Sequence, residues 1–255
     1  MSLSVLYKRL VDMLEENAHL PAVLQSLGCI AETAMPIFET RESEIEGFIK
    51  NILGCSNKAE DKAKESWDDR SDLCSLKIFG IKTLVKSYLP VKDAQLRLGI
   101  DGLLGILKSI LSFGEILKDI ESSSVDKAHL RLAAAKAILR LSKYWDHKIP
   151  IDVFYLTLRI SEISFPQARR LLLSKVHQYV KDRLLDPKYA CAFLLDITGL
   201  QQPDFVEDKH NLSDIVQMCQ QGKARQLSLQ CDANSSMVYP EYILPYLVHS
   251  LAHHP

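Results

Sequence analysis

Apolar residues return along this chain every three to four positions, with few interruptions. Leu20, Val23, Leu24, Leu27, Ile30, Ala31 and Ala34 form one such stripe, and Ile45, Phe48, Ile49, Ile52 and Leu53 form another. That period belongs to an α-helix with one buried face. The segment "LRLGIDGLLGILKSIL" carries Leu96, Ile100, Leu103, Leu104, Leu107, Ile110 and Leu111 at the same spacing. It is apolar enough that both flanks of its helix are expected to be covered. Pro21, Pro90, Pro150, Pro166, Pro187 and Pro240 stand where helices should begin or end, because proline lacks an N–H and is tolerated only in a first turn. No run alternates apolar and polar residues between turn signals. Roughly eleven helices joined by short polar turns are expected, and an all-α fold.

The helices repeat. "AHLRLAAAKAILRL" and "PQARRLLLSKVHQYV" each place an arginine after a small or apolar residue (Leu130-Arg131, Ala168-Arg169) and continue as an amphipathic helix. "AQLRLGIDGLLGIL" puts Leu96-Arg97 in the same role. The spacing between copies matches stacked helix pairs. Leu130, Ala133, Ala134, Ala137, Ile138 and Leu141 make one face with a short centre, which lets a neighbouring backbone approach closely. The arginine is expected to brace one repeat against the next through a backbone carbonyl or an acid. These features predict an α-solenoid of HEAT-type helical repeats, an armadillo-like superhelix, occupying 1–255 as a single segment. Two polar stretches, near 54–72 (with Trp67) and 221–238, are longer than ordinary turns and are expected to be loops.

Composition narrows the function. Of 255 residues 47% are hydrophobic and 25% charged, and the net charge is −1, so no global basic field points to nucleic acid. No apolar run reaches the roughly 18 residues of a membrane span, and the amphipathic "MSLSVLYKRLVDMLEEN" is unlike a signal peptide. A soluble, intracellular protein with no membrane partner is expected. Cys29, Cys55, Cys74, Cys191, Cys219 and Cys231 form no close pair, so reduced structural thiols are expected. Tyr88, Tyr144, Trp145 and Tyr155 are read as core residues.

Catalytic motifs are missing: there is no GxxxxGK[ST], GxGxxG or GxSxG. His249 and His253, four apart on one helix face, resemble half of a zinc site. In the zincin pattern a glutamate follows the first histidine as general base, and here that position is Ser250. These histidines are therefore assigned to a structural helix, with no metal, no cofactor and no catalytic activity expected. The most interesting polar surface follows Pro166. Arg170, His177 and Lys181 recur at helical spacing with Lys175 and Arg183 nearby, a basic ridge able to meet an acidic peptide or phosphate, unless it is simply a solvated face. Lys77, Lys82 and Lys86 form a weaker strip.

Three blocks, "HLRLAAAKAILRL", "FPQARRLLLSKVHQYVKDRLLDPKYACAFL" and "PEYILPYLVHSLAHHP", closely resemble the HEAT-repeat region of the cohesin-associated precocious-dissociation-of-sisters family, most of all its plant branch. The resemblance extends through "CSLKIFGIKTLVKSYL" and "AVLQSLGCIAETAMPIF". Family members are much longer, so the chain is expected to correspond to the middle to C-terminal part of the repeat array. The resemblance implies a nuclear regulatory scaffold without catalytic activity. Its implied partners are the cohesin kleisin subunit and the cohesin release and acetylation factors, and through them, indirectly, chromatin. The alternative is a generic HEAT adaptor for transport, translation or phosphatase assembly. A chelator is expected to leave the melting temperature unchanged, and stoichiometric zinc by elemental analysis, with a large drop on chelation, would overturn the metal-free reading.

Overall fold

The computed structural model describes residues 2–56, 66–89, 99–195, 205–228, 241 and 243–252. Among them are eleven α-helices and no strand. They form two compact units, Met1–Val153 and Phe154–Pro255. The first holds α1 (Leu3–Glu15), α2 (Leu20–Thr33), the short α3 (Met35–Phe38), α4 (Glu42–Leu53), α5 (Asp72–Ser87), α6 (Asp101–Phe113) and α7 (Ser124–Trp145). Helix α8 (Ile151–Leu158) leads into the second unit, which contains α9 (Pro166–Lys181), α10 (Phe205–Ser228), α11 (Ile243–Ala252) and a 3-10 stretch at Pro187–Phe193. The fold is all-α and of the HEAT helical-repeat class.

Local chemistry sets the helix ends. Ser2, Ser71 and Ser123 cap α1, α5 and α7, each hydroxyl accepting from the backbone N–H three residues on. Pro21, Pro36 and Pro166 stand in the first turns of α2, α3 and α9. Gly114 ends α6 in the left-handed region at φ 80°, where its N–H reaches the Ile110 carbonyl at 2.8 Å.

Helix α5 is the hub of the first unit, touching α2, α4 and α7. Gly80 lets it approach α4 so closely that an added Cβ would meet Ile49 Cγ2 at 2.9 Å. Thr83 donates to the Leu24 carbonyl of α2 at 2.7 Å. The Ser71 hydroxyl that caps α5 also donates to Asp126 of α7 at 2.6 Å, and the Ser71 N–H donates to the other carboxylate oxygen at 2.9 Å. At the heart of this packing Lys77, 1% exposed, donates to Glu115, 2% exposed, at 2.8 Å. The second Glu115 oxygen accepts from Ser122. Lys77 lies in phase with Cys74, Ile78, Ile81, Leu84 and Val85, all buried. The predicted basic strip is thereby corrected: its first member is a core residue, because i+3 and i+4 steps from Cys74 and Ile81 turn it inward.

Helix α7 packs on both α5 and α6. Its predicted face is buried at Leu130, Ala134, Ala137, Ile138 and Leu141, with Ala133 half-buried, and a second face at Leu132, Ala135 and Leu139 is buried too. Small residues on the first face leave room for two helix neighbours at once. The bracing arginine is present: Arg131 donates to the Ser112 carbonyl in the last turn of α6 at 3.1 Å. In the second unit Arg169 of α9 pairs with Asp208 of α10 at 2.8 Å, both largely buried. Arg97 lies outside the described residues.

Several expectations change. Helix α6 is covered on one side only. Ile100, Leu103, Leu104, Leu107, Ile110 and Leu111 are buried, but Gly102, Gly105 and Lys108 are exposed, since its apolar residues fall within a single arc. The polar stretch expected from 221 begins as helix, because α10 continues to Ser228; 229–240 lie outside the described residues. In the stretch near 54–72, residues 57–65 also lie outside them, but Ser66 to Ser71 is anchored. Trp67 stacks on His129 with ring centroids 3.6 Å apart, and its carbonyl accepts from His129 Nε2 at 2.9 Å. Burial holds the His129 pKa below the ordinary histidine value, in keeping with a neutral ring that donates this hydrogen bond. Trp145 is buried and its indole N–H reaches the Tyr88 carbonyl at 3.0 Å. Tyr144 instead is 52% exposed, and Tyr88 and Tyr155 are half-buried.

Two outcomes test this packing. Ala134→Leu is expected to destabilise by about 1–3 kcal/mol, since Ala134 is fully enclosed and overpacking forces backbone shifts. A denaturant titration without loss would overturn that register. Glu115→Ala is expected to cost about 3–5 kcal/mol by leaving a buried ammonium uncompensated, whereas the double change to Lys77→Met and Glu115→Leu should cost far less. Equal losses in urea titrations of the two variants would show that the pair is not the source of the effect.

Candidate partner-binding surface

The predicted ridge on α9 divides into three environments. Arg170 and Lys181, eleven residues apart, return to nearly the same angle on the helix and both are exposed. His177 is turned toward α10, where its Nε2 lies 3.6 Å from Asp214 Oδ2, and its side chain is only 18% exposed. The same Asp214 oxygen is 3.8 Å from His210. His177 thus reaches Asp214 across from α9, while His210 and Asp214 are neighbours one turn apart on α10. Lys175 points to the other flank, donating to Gln178 at 3.0 Å with its ammonium 4.9 Å from the Tyr179 ring centre.

Arg183 lies beyond the helix. The N–H groups of Arg183 and Leu184 reach back to Val180 and Tyr179, each at 2.9 Å, and Arg183 takes φ 55° in the resulting left-handed turn. The turn chemistry places it off the helical strip. Of the five candidates, therefore, Arg170, His177 and Lys181 share one strip of α9, on which Arg170 and Lys181 are exposed and His177 is half-buried, while Lys175 lies on another flank and Arg183 beyond the helix.

The histidine-bearing helix α11 packs on the Pro187–Phe193 stretch. His249 stacks on Tyr155 of α8, with centroids 4.5 Å apart and rings 4° from parallel. Phe154, Tyr189 and Tyr246 meet edge to face beside them. The Lys188 ammonium lies 5.4, 5.6 and 5.8 Å from the centres of Phe154, Tyr189 and Tyr246 respectively. Each distance is within cation–π range. His249 thus has an aromatic partner; His253 lies outside the described residues.

Among the described residues the thiols fall into two kinds, and Cys231 lies outside them. Cys29 and Cys55 are exposed, and Cys74, Cys191 and Cys219 are buried and unpaired with one another. Burial pushes the Cys191 thiol up to about 12, and burial together with the Asp126 charge pushes Cys74 up as well. Thiols so held stay protonated and are poor nucleophiles. No helix among the described residues is long and apolar enough to cross a membrane.

The reading of the sequence passed over two features. One is the Lys77–Glu115 pair, detectable only from the phase of Lys77 within an apolar stripe. The other is Arg70, whose charge acts on Lys82 of α5 from the segment just before that helix. Loop residues carry no helical phase, so no pattern in the sequence places Arg70 there.

Stacked helices braced by arginines define a helical-repeat protein. Comparison with known proteins gives the family. The family described as "Sister chromatid cohesion protein PDS5 protein" matches residues 1–255. The chain is 66% identical over 254 residues to the Arabidopsis thaliana sister chromatid cohesion protein PDS5 homolog A, covering 99% of the chain and 16% of that relative. It is 26% identical to the Xenopus laevis PDS5 homolog B-A and 25% identical to the human PDS5 homolog A, in each case over 91% of the chain. Those matches cover 16% and 18% of the two relatives. The chain belongs to the PDS5 family of sister chromatid cohesion proteins, and it spans about a sixth of the length of the curated relatives it matches.

Proposed function

We propose that this chain is part of a cohesin-associated regulatory scaffold, acting in the nucleus without catalytic activity of its own. In this reading it contributes to binding the kleisin subunit and, with cohesin release and acetylation factors, to setting how long cohesin stays on chromatin. The observation that carries the proposal is the family match along all 255 residues. The same match favours it over a generic HEAT adaptor. The physical character of the fold is compatible: stacked helix pairs expose long strips on which an extended segment can lie.

For the kleisin we propose the exposed strip of α9 bearing Arg170 and Lys181 as part of the rim. Lys175, His177 and Arg183 are assigned to the margins of that contact, since His177 is half-buried against Asp214, Lys175 lies on another flank of the helix and Arg183 sits in the following turn. Single exposed charges contribute little, so one reversal is expected to change almost nothing. Reversing Arg170 and Lys181 together to glutamate should weaken binding of a kleisin fragment by about tenfold at low salt and flatten its salt dependence, with the melting temperature unchanged. The readout is a pull-down followed by titration. Unaltered affinity in the double variant would move the contact elsewhere, and failure of any kleisin fragment to bind the parent chain would overturn the proposal for this segment.

A further inference from the structure

Helix α11 is attached to the second unit with little apolar burial. Ile243 is its buried residue, while Leu244, Val248 and Leu251 are exposed. Spaced at i, i+4 and i+7, those three run along one face, and that face is uncovered by the described residues. A helix of 10 residues is marginal on its own in water, so α11 keeps its form through whatever holds it in place. It packs chiefly on the Pro187–Phe193 stretch.

Beside the His249–Tyr155 stack, the aromatic contacts that hold α11 converge on one cation. Tyr246 of α11 meets Phe154 of α8 at 5.7 Å between ring centres, and Phe154 meets Tyr189 at 4.9 Å. The Lys188 ammonium, 5.4 to 5.8 Å from all three centres, joins α8, the 3-10 stretch and α11 through a single charge. Phe154 and Tyr189 are buried, whereas Lys188 and Tyr246 are half-buried, so solvent has access to the cation. The Lys188 backbone is fixed separately: its N–H donates to Asp186 Oδ1 at 2.8 Å, at the cap of the 3-10 stretch. The side chain can therefore lose its charge without undoing the turn that carries it. Against the first turn of α11 lies Cys191, wholly enclosed, its thiol donating to the Ile243 carbonyl at 3.5 Å.

We propose that Lys188 is a latch for α11: its charge beside Phe154, Tyr189 and Tyr246 keeps the helix docked, and acylation of its ε-amine releases the helix and opens Cys191 to solvent. In that step the unprotonated amine attacks the carbonyl carbon of an acyl thioester. The N–C bond forms, the C–S bond breaks, the thiolate leaves, and the amine proton passes to solvent. The amide so formed is neutral, and the attraction to the three rings is lost. Once undocked, a helix this short does not persist, so a modest change in docking becomes local unfolding of 243–252. A permanent joint would be expected to bury a broad apolar face, and α11 buries one side chain. The inference rests on the second unit alone and is independent of the kleisin contact assigned to α9.

The test uses the whole chain with Nε-acetyl-lysine incorporated in place of Lys188, alongside Lys188→Gln and Lys188→Arg. Hydrogen exchange of 243–252 reports docking of α11, and iodoacetamide alkylation of Cys191, read by peptide mass, reports the opening beside it. Cation–π contacts shift an equilibrium by roughly two- to thirtyfold, so the acetylated and glutamine chains should show both rates raised about tenfold. The arginine chain keeps the charge and should stay within about threefold of the parent. Cys74 in the first unit and Cys219 on α10, both buried, should alkylate at parental rates throughout. Parent-like exchange and alkylation in the acetylated chain would overturn the latch, as would an arginine chain as open as the glutamine one. A matching rise at Cys219 would show the whole unit loosening and would equally overturn it.

Discussion

The first unit is organised around an ion pair that water does not reach. Lys77 and Glu115 are almost wholly enclosed, and taking both charges out of water carries a large desolvation penalty. Two things offset it: a short, well-aligned contact, and the Ser122 hydroxyl on the second carboxylate oxygen. A pair of leucines would pack there at lower cost but would fit many registers. A charged pair fits only one, since sliding α5 along its neighbours strands an ammonium in apolar surroundings. The polar contacts around it act in the same sense. Thr83 is tied to Leu24 of α2, and Ser71 to Asp126 of α7, so α5 is held at three separate heights. The close approach of Gly80 to Ile49 depends on that fixed register.

Much of this was legible before any coordinates. The period of the apolar residues indicated the helices, and the prolines at 21, 166 and 187 marked their first turns. The recurring arginine announced its own role, and Arg131 and Arg169 fill it, one through a carbonyl and one through an acid. Periodicity fails where a residue's fate depends on a distant partner. Lys77 reads as a surface lysine until Glu115 is brought beside it, and Trp67 reads as a loop residue until His129 meets its ring. His177 reads as part of a basic ridge until Asp214 arrives on another helix. Arg183, near the ridge in sequence, lies where the backbone turns left-handed just past the helix end and helical spacing no longer applies. Each miss involves a contact between residues well apart in sequence, or a turn, and neither leaves a mark in a local pattern.

The exposed surfaces and the family reading bear on each other through charge. A near-neutral chain that attracts a partner must do so with local arrangement rather than with its overall field. On α9 the exposed cations Arg170 and Lys181 are spread along the helix rather than gathered at one point.

The Glu32 bridge has a consequence for how the first unit comes apart. Glu32 on α2 holds Arg140 on α7, residues 108 apart in sequence, while α5 runs between those helices and meets each of them. In a simple array of repeats each layer touches only the next, so unfolding can begin at one end and travel inward. Here the second and seventh helices share a carboxylate across an intervening layer. Loosening either helix forfeits contacts of the other, which couples their melting and suppresses fraying from the end. A part-exposed pair of this kind contributes about 0–1 kcal/mol, so the link is a modest restraint added to the packing of α5 between the two helices.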